Sequence, residues 1–304
     1  MIAEGAPLEP PTEPATTLDN LAAEFESSRP RLFGIAYRML GSAAEAEDVV
    51  QDAWLKWQTT DRSGIHNPAA FLTTMTTRLA LNVAGSARVR RQTYLGPWLP
   101  EPVFTGTSPE LGAENAEALD LGLLMLMERL TPRERAVYLL REAFAYSFGE
   151  IAEVLDTSEA NARQLGRRAR THLAEHGGTR VSVVAKNRLL HAFLAAAQAG
   201  DLTGLTALLT EDIVTYSDGG GIVTAARRPV VGRENVARFL AGILQKVPAD
   251  VEVLVTSING ADGFLLRRGG EPYLAGTIGV TAAGIDRLFF ILNPEKLGGM
   301  RALA

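Results

Sequence analysis

The sequence predicts a multi-domain protein in which two all-α units are followed by an α+β domain shaped like a cone. Apolar residues recur at helical spacing through residues 19–98 and again through residues 120–178. A stretch rich in proline and glycine, residues 99–119, separates these two units as a linker. From about residue 182 the pattern changes to short apolar runs divided by Asn-Gly, Gly-Gly and Ala-Gly turns, which is typical of antiparallel strands.

Composition excludes several classes of function. The chain has 304 residues and no cysteine, which rules out disulfides, thiolate zinc sites and thiol redox chemistry. Residues 1–18 are rich in proline, glutamate and threonine, so we expect a disordered tail and not a signal peptide. No apolar run approaches the ~20 residues that span a bilayer. The sequence therefore predicts a cytoplasmic protein without a membrane partner.

Charge is segregated along the chain. The formal net charge is −5, yet no acidic residue lies between Asp61 and Glu101 or between Glu159 and Glu175. Both stretches contain several arginines, so two cationic segments stand in an acidic chain. Because non-specific affinity for nucleic acid scales with the phosphates neutralised, this pattern predicts weak DNA binding unless a partner positions the protein.

The first unit contains three predicted helices. The first ends at Gly41, where a left-handed conformation is needed, and Ser42 with Glu45 forms a capping box for the second. Asp48 and Asp52 share one face of the second helix with Glu45. Such a face suits either open solvent or a basic protein partner, and the residues alone support both equally. A third helix begins at Asn67 with a proline in its first turn and continues towards residue 91.

A helix-turn-helix is predicted over residues 147–170. Ser147 and Glu150 form a capping box at the start of its first helix. After a short break, Ser158 caps a second helix with one apolar stripe and one uncompensated arginine stripe. Such a helix is shaped to enter the major groove. The alternative, a solvated charged helix, usually interleaves both signs of charge, so the pattern favours DNA binding.

The third unit, residues 179–304, is predicted to place two or three helices against a bent antiparallel sheet that encloses a pocket. The helices pass through residues 189–197 and 234–245. The predicted strands are 213–216, 251–258, 264–267, 273–280 and 285–292.

Several runs together resemble an extracytoplasmic-function sigma factor of bacterial RNA polymerase. Residues 46–54 and 67–72 resemble sigma region two, and residues 130–170 resemble region four. Residues 94–102, YLGPWLPEP, and 293–297, NPEKL, are similar to the sigma-J-type subgroup, which carries a SnoaL-like domain after region four. The resemblance covers nearly the whole chain.

This resemblance implies a fold and an activity. The fold would be two all-α sigma domains, a region-two helical bundle and a region-four helix-turn-helix, followed by a SnoaL-like, NTF2-like α+β cone domain. The activity would be that of an alternative sigma factor, which binds core RNA polymerase and directs it to the minus-thirty-five and minus-ten elements of promoter DNA. The second helix would dock on the polymerase and the two cationic segments would hold the promoter.

The resemblance and the residue types together give candidate sites. Those for polymerase binding are Glu45, Asp48, Gln51 and Asp52. Those for the minus-ten element, where basic side chains would follow the opened strand, are Arg78, Asn82, Arg88, Arg90 and Arg91. Those for the minus-thirty-five element, where arginine grips guanine and asparagine or glutamine grips adenine, are Ser158, Asn161, Arg163, Gln164, Arg167 and Arg168.

The C-terminal domain is expected to regulate the sigma domains in cis. Its candidate regulatory residues are Asp218, Gly219, Gly220, Gly221, Asn293, Pro294, Glu295, Lys296 and Leu297. The subgroup carries lysine where this chain has Ile222, so a cation is expected to be missing from the contact with the sigma core. One histidine, His191, and few acids such as Asp212 make catalysis the weaker reading. We therefore predict no catalytic residue, cofactor or metal, and whether a small molecule occupies the pocket stays open.

Two other classes remain as alternatives. A one-component transcription regulator would bind DNA alone and read a ligand in the SnoaL-like domain, but would not need the acidic helix. A SnoaL-type enzyme fused to a DNA-binding unit would show turnover.

We predict that Arg167→Ala weakens promoter binding because it removes a cation from the DNA-facing side of the second helix. Binding measured over a series of salt concentrations should show lower affinity and a salt slope smaller by about 1 where the guanidinium neutralises a phosphate. Unchanged affinity together with an unchanged slope contradicts the assignment.

Overall fold

The computed structural model describes residues 17–106, 120–174 and 181–303. Most of the predicted tail and residues 107–119 of the predicted linker lie outside these ranges. Among the described residues there are ten α-helices and one six-stranded sheet. None of these helices combines the length and the apolar character needed to cross a membrane.

The first unit is a bundle of three helices: α1 (Thr17–Leu40), α2 (Ala43–Thr59) and α3 (Pro68–Gln92). Gly41 follows α1 with φ of 67°, the left-handed conformation that the sequence predicted. The Asn67 side chain accepts a hydrogen bond from the Ala70 N–H at the start of α3, as expected of an N-cap.

The second unit contains α4 (Leu121–Met127), α5 (Pro132–Glu142), α6 (Phe148–Val154) and α7 (Glu159–Ala174). Two capping boxes are formed here, one by Thr131 with Glu134 and one, as predicted, by Ser147 with Glu150. The turn between α6 and α7 holds Asp156 at φ of 49°. The helix-turn-helix is therefore α6 and α7, as predicted.

The two helical units share one hydrophobic core and do not form separate bodies. Buried Arg135 of α5 joins them: its guanidinium donates to the Met39 carbonyl of α1 at 2.7 Å and to the Met127 carbonyl at 3.0 Å. Glu128 accepts from the same group at 2.5 Å, which supplies the counter-charge that a buried guanidinium needs. Arg38 of α1 also lies over the Phe144 ring, 5.3 Å from its centroid.

The C-terminal domain begins with two helices, α8 (Val183–Gln198) and α9 (Leu202–Ala207), and contains a third, α10 (Arg233–Leu244). Two 3-10 turns, Pro294–Lys296 and Gly298–Leu303, follow the last strand. The strands are β1 (Leu209–Asp218), β2 (Val230–Val231), β3 (Val251–Ile258), β4 (Ala261–Arg268), β5 (Glu271–Thr281) and β6 (Gly284–Ile291).

The sheet order is β2-β1-β6-β5-β4-β3. Helix α9 and the two-residue strand β2 were not predicted, because both are too short to show a period in the sequence. The prediction of a purely antiparallel sheet was also wrong, since β1 pairs with β6 in parallel. Parallel strands need a long crossover connection, which here is the whole segment between β1 and β6. No local turn in the sequence indicates that these two strands pair.

Both faces of this sheet are covered. Leu288 and Phe290 of β6 belong to the core shared with α8 and α10. The alternating residues Phe289 and Ile291 belong to a second core on the opposite face, with Leu99 of the linker. Because neighbouring side chains of a strand point to opposite faces, β6 contacts the cone interior and the sigma units at once.

The described part of the predicted flexible linker is docked. Leu99 is fully buried, and Phe104 forms an isolated β-bridge with Ile258 at the end of β3. The Thr105 N–H donates to the Ser257 carbonyl at 3.1 Å. Residues 99–106 therefore add an edge to the sheet in place of a free tether.

The turn between β3 and β4 contacts α1. The Asn259 side chain accepts from the Val103 N–H at 3.0 Å and donates to the Tyr37 hydroxyl at 2.6 Å. That hydroxyl in turn donates to the Glu101 carbonyl at 2.6 Å. Tyr37 is fully buried, and its burial raises the pKa of the phenol above its ordinary value. Three segments thus meet at one hydroxyl group.

We predict that Tyr37→Phe lowers the free energy of unfolding by about 1–3 kcal/mol, because the buried Asn259 amide and Glu101 carbonyl lose their partner. Urea or thermal denaturation measures the change. Tyr273→Phe is the matched control, since the Tyr273 side chain is 37% exposed. Equal destabilisation of the two variants contradicts the prediction.

Candidate functional site

The acidic face of α2 is open. Asp48, Gln51 and Asp52 are exposed, and neither carboxylate forms an ion pair with another described residue. Leu55, one turn further along this face, is 53% exposed. Sequence reasoning missed Leu55, although its spacing from Gln51 and Asp52 places it beside them. The fourth candidate, Glu45, is instead paired with Arg90 of α3.

The N-terminus of α2 is capped by a residue from the linker. Ser42 accepts from the Glu45 N–H at 3.2 Å, but the carboxylate of Glu45 does not complete the predicted capping box. The Glu101 carboxylate occupies this position, accepting from the Ala43 N–H and the Ser42 hydroxyl at 2.7 Å each. An anion is favoured at the positive end of the helix dipole. The linker is thereby fixed to the start of the acidic helix.

The candidates for the minus-ten element are divided. Arg88 and Arg90 are exposed near the end of α3. Arg78 donates to the Val154 carbonyl at 2.8 Å and to the Glu153 carbonyl at 2.9 Å, so it binds α6 of the helix-turn-helix. Asn82 is exposed and lines the crevice between α3 and that unit.

Arg91 faces inward, contrary to the expectation of a side chain directed at DNA. Its side chain is only 15% exposed and forms an ion pair with Glu128. The guanidinium also donates to the Leu40 carbonyl and lies over the Trp98 ring, 3.7 Å from its centroid. Arg91 thus joins α1, the linker and the start of the second unit. The sequence could not distinguish this internal role from DNA contact, because an arginine in a cationic segment can serve either role.

The second helix of the helix-turn-helix presents most of its candidates to solvent. Arg163, Gln164, Arg167 and Arg168 are exposed on α7. Ser158 accepts from the Asn161 N–H at 3.2 Å and so acts as the helix cap. Asn161 is half-buried, and its amide donates to Thr157 at 2.8 Å.

The arginine stripe of α7 is not uncompensated, as the sequence had suggested. Arg163 pairs with Glu159, Arg170 with Glu142 at 3.1 Å, and Arg168 lies 3.8 Å from Glu134. Two of these acids belong to α5, far away in sequence. Arg167 makes no ion pair with a described residue. The pairs of Arg163 and Arg170 are exposed on both partners and are therefore weak, whereas Glu134, the partner of Arg168, is buried.

The regulatory candidates meet the linker at a buried ion pair. Asp218 is fully buried at the end of β1, and its carboxylate accepts from Lys296 at 2.7 Å, from the Tyr94 hydroxyl at 2.6 Å and from the Leu99 N–H at 2.8 Å. Lys296 also donates to the Leu99 carbonyl at 2.5 Å. We call Tyr94, Leu99, Asp218, Asn293 and Lys296 the clasp.

Burial and the opposite charge act against each other on Lys296 of the clasp. Burial lowers the pKa of Lys296, and the Asp218 carboxylate opposes that effect. The Lys296 ammonium also lies 4.3 Å from the centroid of the Trp98 ring. Burial and the neighbouring Asp218 raise the pKa of the Tyr94 hydroxyl, which therefore remains a hydrogen-bond donor.

The glycines after Asp218 let the backbone approach the C-terminal turn. A Cβ on Gly220, which has φ of 63°, would lie 2.4 Å from the Asn293 side-chain nitrogen. That nitrogen donates to the Tyr94 hydroxyl at 3.0 Å, so the glycine turn makes room for the clasp. The other candidates also lie at or next to this region: Gly219, Gly221, Pro294, Glu295 and Leu297.

The position where the subgroup carries lysine lies outside the clasp. Ile222 is 56% exposed and takes no part in the clasp, whereas Lys296 provides its buried positive charge. The residues that sequence reasoning assigned no role here are Tyr94 and Leu99, although both belong to the runs that suggested the subgroup. His191 and Asp212 are exposed and do not line the interior of the cone. Within the described ranges, no group of three or more histidine, aspartate or glutamate residues is placed to hold a metal.

Comparisons with known proteins agree with this geometry. Residues 25–93 match the family Sigma-70 region 2, and residues 121–173 match Sigma-70, region 4. The ECF RNA polymerase sigma factor SigJ of Mycobacterium tuberculosis (strain ATCC 25618 / H37Rv) is 37% identical over 295 residues, covering 91% of this chain and 93% of SigJ. The probable ECF RNA polymerase sigma factor SigI of Mycobacterium tuberculosis (strain CDC 1551 / Oshkosh) is 26% identical over 298 residues, covering 93% and 97%.

A solved structure matches along almost the same length. The crystal structure of SigJ from Mycobacterium tuberculosis has a TM-score of 0.75 to this chain at 35% identity, covering 91% of this chain and 98% of that one. Sequence, domain order and three-dimensional structure therefore lead to one conclusion. The chain belongs to the extracytoplasmic-function sigma factors of RNA polymerase.

Proposed function

We propose that this sigma factor binds core RNA polymerase through the exposed face of α2 and carries it to promoter DNA held by α3 and α7. The C-terminal domain regulates this activity in cis and does not catalyse a reaction. The proposed partners, RNA polymerase and promoter DNA, are found in the bacterial cytoplasm, so we propose that the protein acts there. The observation that carries the proposal is the open acidic face of α2, because a DNA-binding regulator acting alone has no use for it.

The chemistry of that face suits a protein partner. Asp48 and Asp52 carry unpaired negative charge, and Leu55 adds exposed apolar area beside them. Complementary charge speeds encounter with a basic surface, while a buried apolar side chain contributes affinity.

The compact arrangement must open on a promoter. The minus-ten and minus-thirty-five elements lie about 25 base pairs apart, roughly 85 Å at ~3.4 Å per base pair. Two helical units in direct contact, each roughly 30 Å across, do not reach that far. Arg78 bound to α6 and Arg91 paired with Glu128 hold the units together, so both contacts break when the promoter is engaged.

The clasp connects the C-terminal domain to this opening. The clasp fixes the segment that follows α3 at Tyr94 and Leu99. The same segment caps α2 through Glu101 and lies under Arg91 through Trp98. A closed clasp therefore favours the compact arrangement, and its release frees both units. The domain performs within one chain the task of a separate inhibitory protein.

Purified protein added to sigma-free core polymerase on a cognate promoter tests the function. Specific transcripts are expected. A one-component regulator or a fused enzyme gives none under the same conditions, and that result rejects the proposal.

We predict that Asp48→Lys with Asp52→Lys abolishes binding to core polymerase, because two attractive charges become repulsive. Co-purification with core polymerase and transcript yield measure the effect. Glu26→Lys with Glu252→Lys is the matched control, since it changes the net charge equally at exposed acids elsewhere. Undiminished binding of the first pair, or equal loss in both pairs, shows that α2 is not the docking face.

We predict that Lys296→Met raises transcript yield several-fold at limiting sigma factor. Leaving Asp218 buried without its cation costs about 3–5 kcal/mol, which is enough to open the clasp. Arg301→Met is the control, because Arg301 is an exposed cation close by in sequence. Adding Asp218→Asn to Lys296→Met removes the unpaired charge and should restore part of the repression. Circular dichroism verifies folding, and unchanged yield in the folded Lys296→Met protein contradicts cis regulation.

A further inference from the structure

We propose that the interior of the C-terminal domain is a binding site for a small apolar molecule that carries one anionic group. We further propose that an occupied site stabilises the clasp, and this second part rests on the cis regulation proposed above. The site itself follows from two independent features of the cavity, its apolar lining and its charge.

The first feature is size and lining. A cavity of about 780 Å³ lies between α10 and the sheet, within the range typical of small-molecule sites. Its wall is mainly apolar and includes Phe239, Ile243, Leu266 and Phe290. Such a wall removes a hydrocarbon body of moderate size from water, which is the main source of affinity for apolar ligands.

The second feature is charge. Among the described residues that line the cavity, the charged ones are Arg238 and Lys246, and none is acidic. Arg238 lies on α10, and Lys246 lies in the turn that follows the helix. Lys246 forms no ion pair with a described residue, and Arg238 donates to the Asn235 amide, not to a carboxylate. The cavity therefore attracts an anion and repels a cation.

The cavity contacts the segments that carry the clasp. Ser217 directly precedes Asp218 on β1, and alternation along a strand turns one side chain to the cavity and the other to the clasp. Pro294 and Leu297 also line the cavity, and they flank Lys296. A ligand that fits the cavity stabilises the conformation in which the cavity has this shape, and in that conformation the clasp is closed. Ligand binding should therefore lower transcription.

Calorimetry on the full-length protein tests the site. The probes are benzoate, 2-naphthoate and decanoate, each paired with the neutral alcohol of the same skeleton. At least one carboxylate should bind with a stoichiometry of one and about tenfold more tightly than its alcohol. No binding by any of them at millimolar concentration, or equal binding of acid and alcohol, overturns the proposal.

Variants connect binding to the named side chains. Arg238→Gln with Lys246→Gln should weaken carboxylate binding about tenfold or more and leave alcohol binding unchanged. Arg228→Gln, an exposed cation of the same domain outside the cavity, should have no effect. Unchanged carboxylate affinity in the Arg238→Gln, Lys246→Gln variant overturns the assignment.

Transcription separates the two parts of the proposal. The carboxylate that binds should lower transcript yield of the wild type and have little effect on Lys296→Met. Binding without any change in wild-type yield rejects the coupling while the site stands. If Lys296→Met itself leaves yield unchanged, the failure lies in cis regulation and not in the site.

Discussion

The buried ion pair between Asp218 and Lys296 is the constraint on which the arrangement of this protein depends. Two charges removed from water are tolerated only when nearly every donor and acceptor around them is matched. Here the carboxylate also receives the Tyr94 hydroxyl and the Leu99 and Gly220 N–H groups, and the ammonium reaches the Leu99 carbonyl. These partners come from three segments of the chain, so the pair cannot exist unless all three segments converge.

Convergence at the clasp determines the positions of distant helices. The linker leaves Leu99 and reaches α2 within two residues, where Glu101 caps the helix. Trp98 lies under Arg91, which pairs with Glu128, and Glu128 also pairs with Arg135 of α5. A continuous series of charge-assisted contacts thus runs from the C-terminal domain to both sigma units. Weakening one end changes the stability of the other, because each member satisfies a buried neighbour.

The two faces of the C-terminal sheet contact different parts of the molecule. One face surrounds a cavity that is apolar and edged by cations, while the other face packs on the linker and α4. Strand alternation places the two within one residue of each other along β1 and β6. The same sheet therefore lies against the cavity on one side and against the linker and α4 on the other.

Sequence by itself determined the elements that depend on local chemistry. The capping box of Ser147 and Glu150, Gly41, the helix-turn-helix and five of the six strands were predicted correctly, because each follows from residues a few positions apart. Only the tertiary structure decided which charges are free. Arg91 and Arg78 belong to internal contacts, Glu101 caps α2, and Lys296 pairs with Asp218. A charge shows its sign in the sequence, but its partner lies dozens to nearly two hundred positions away and is chosen by packing.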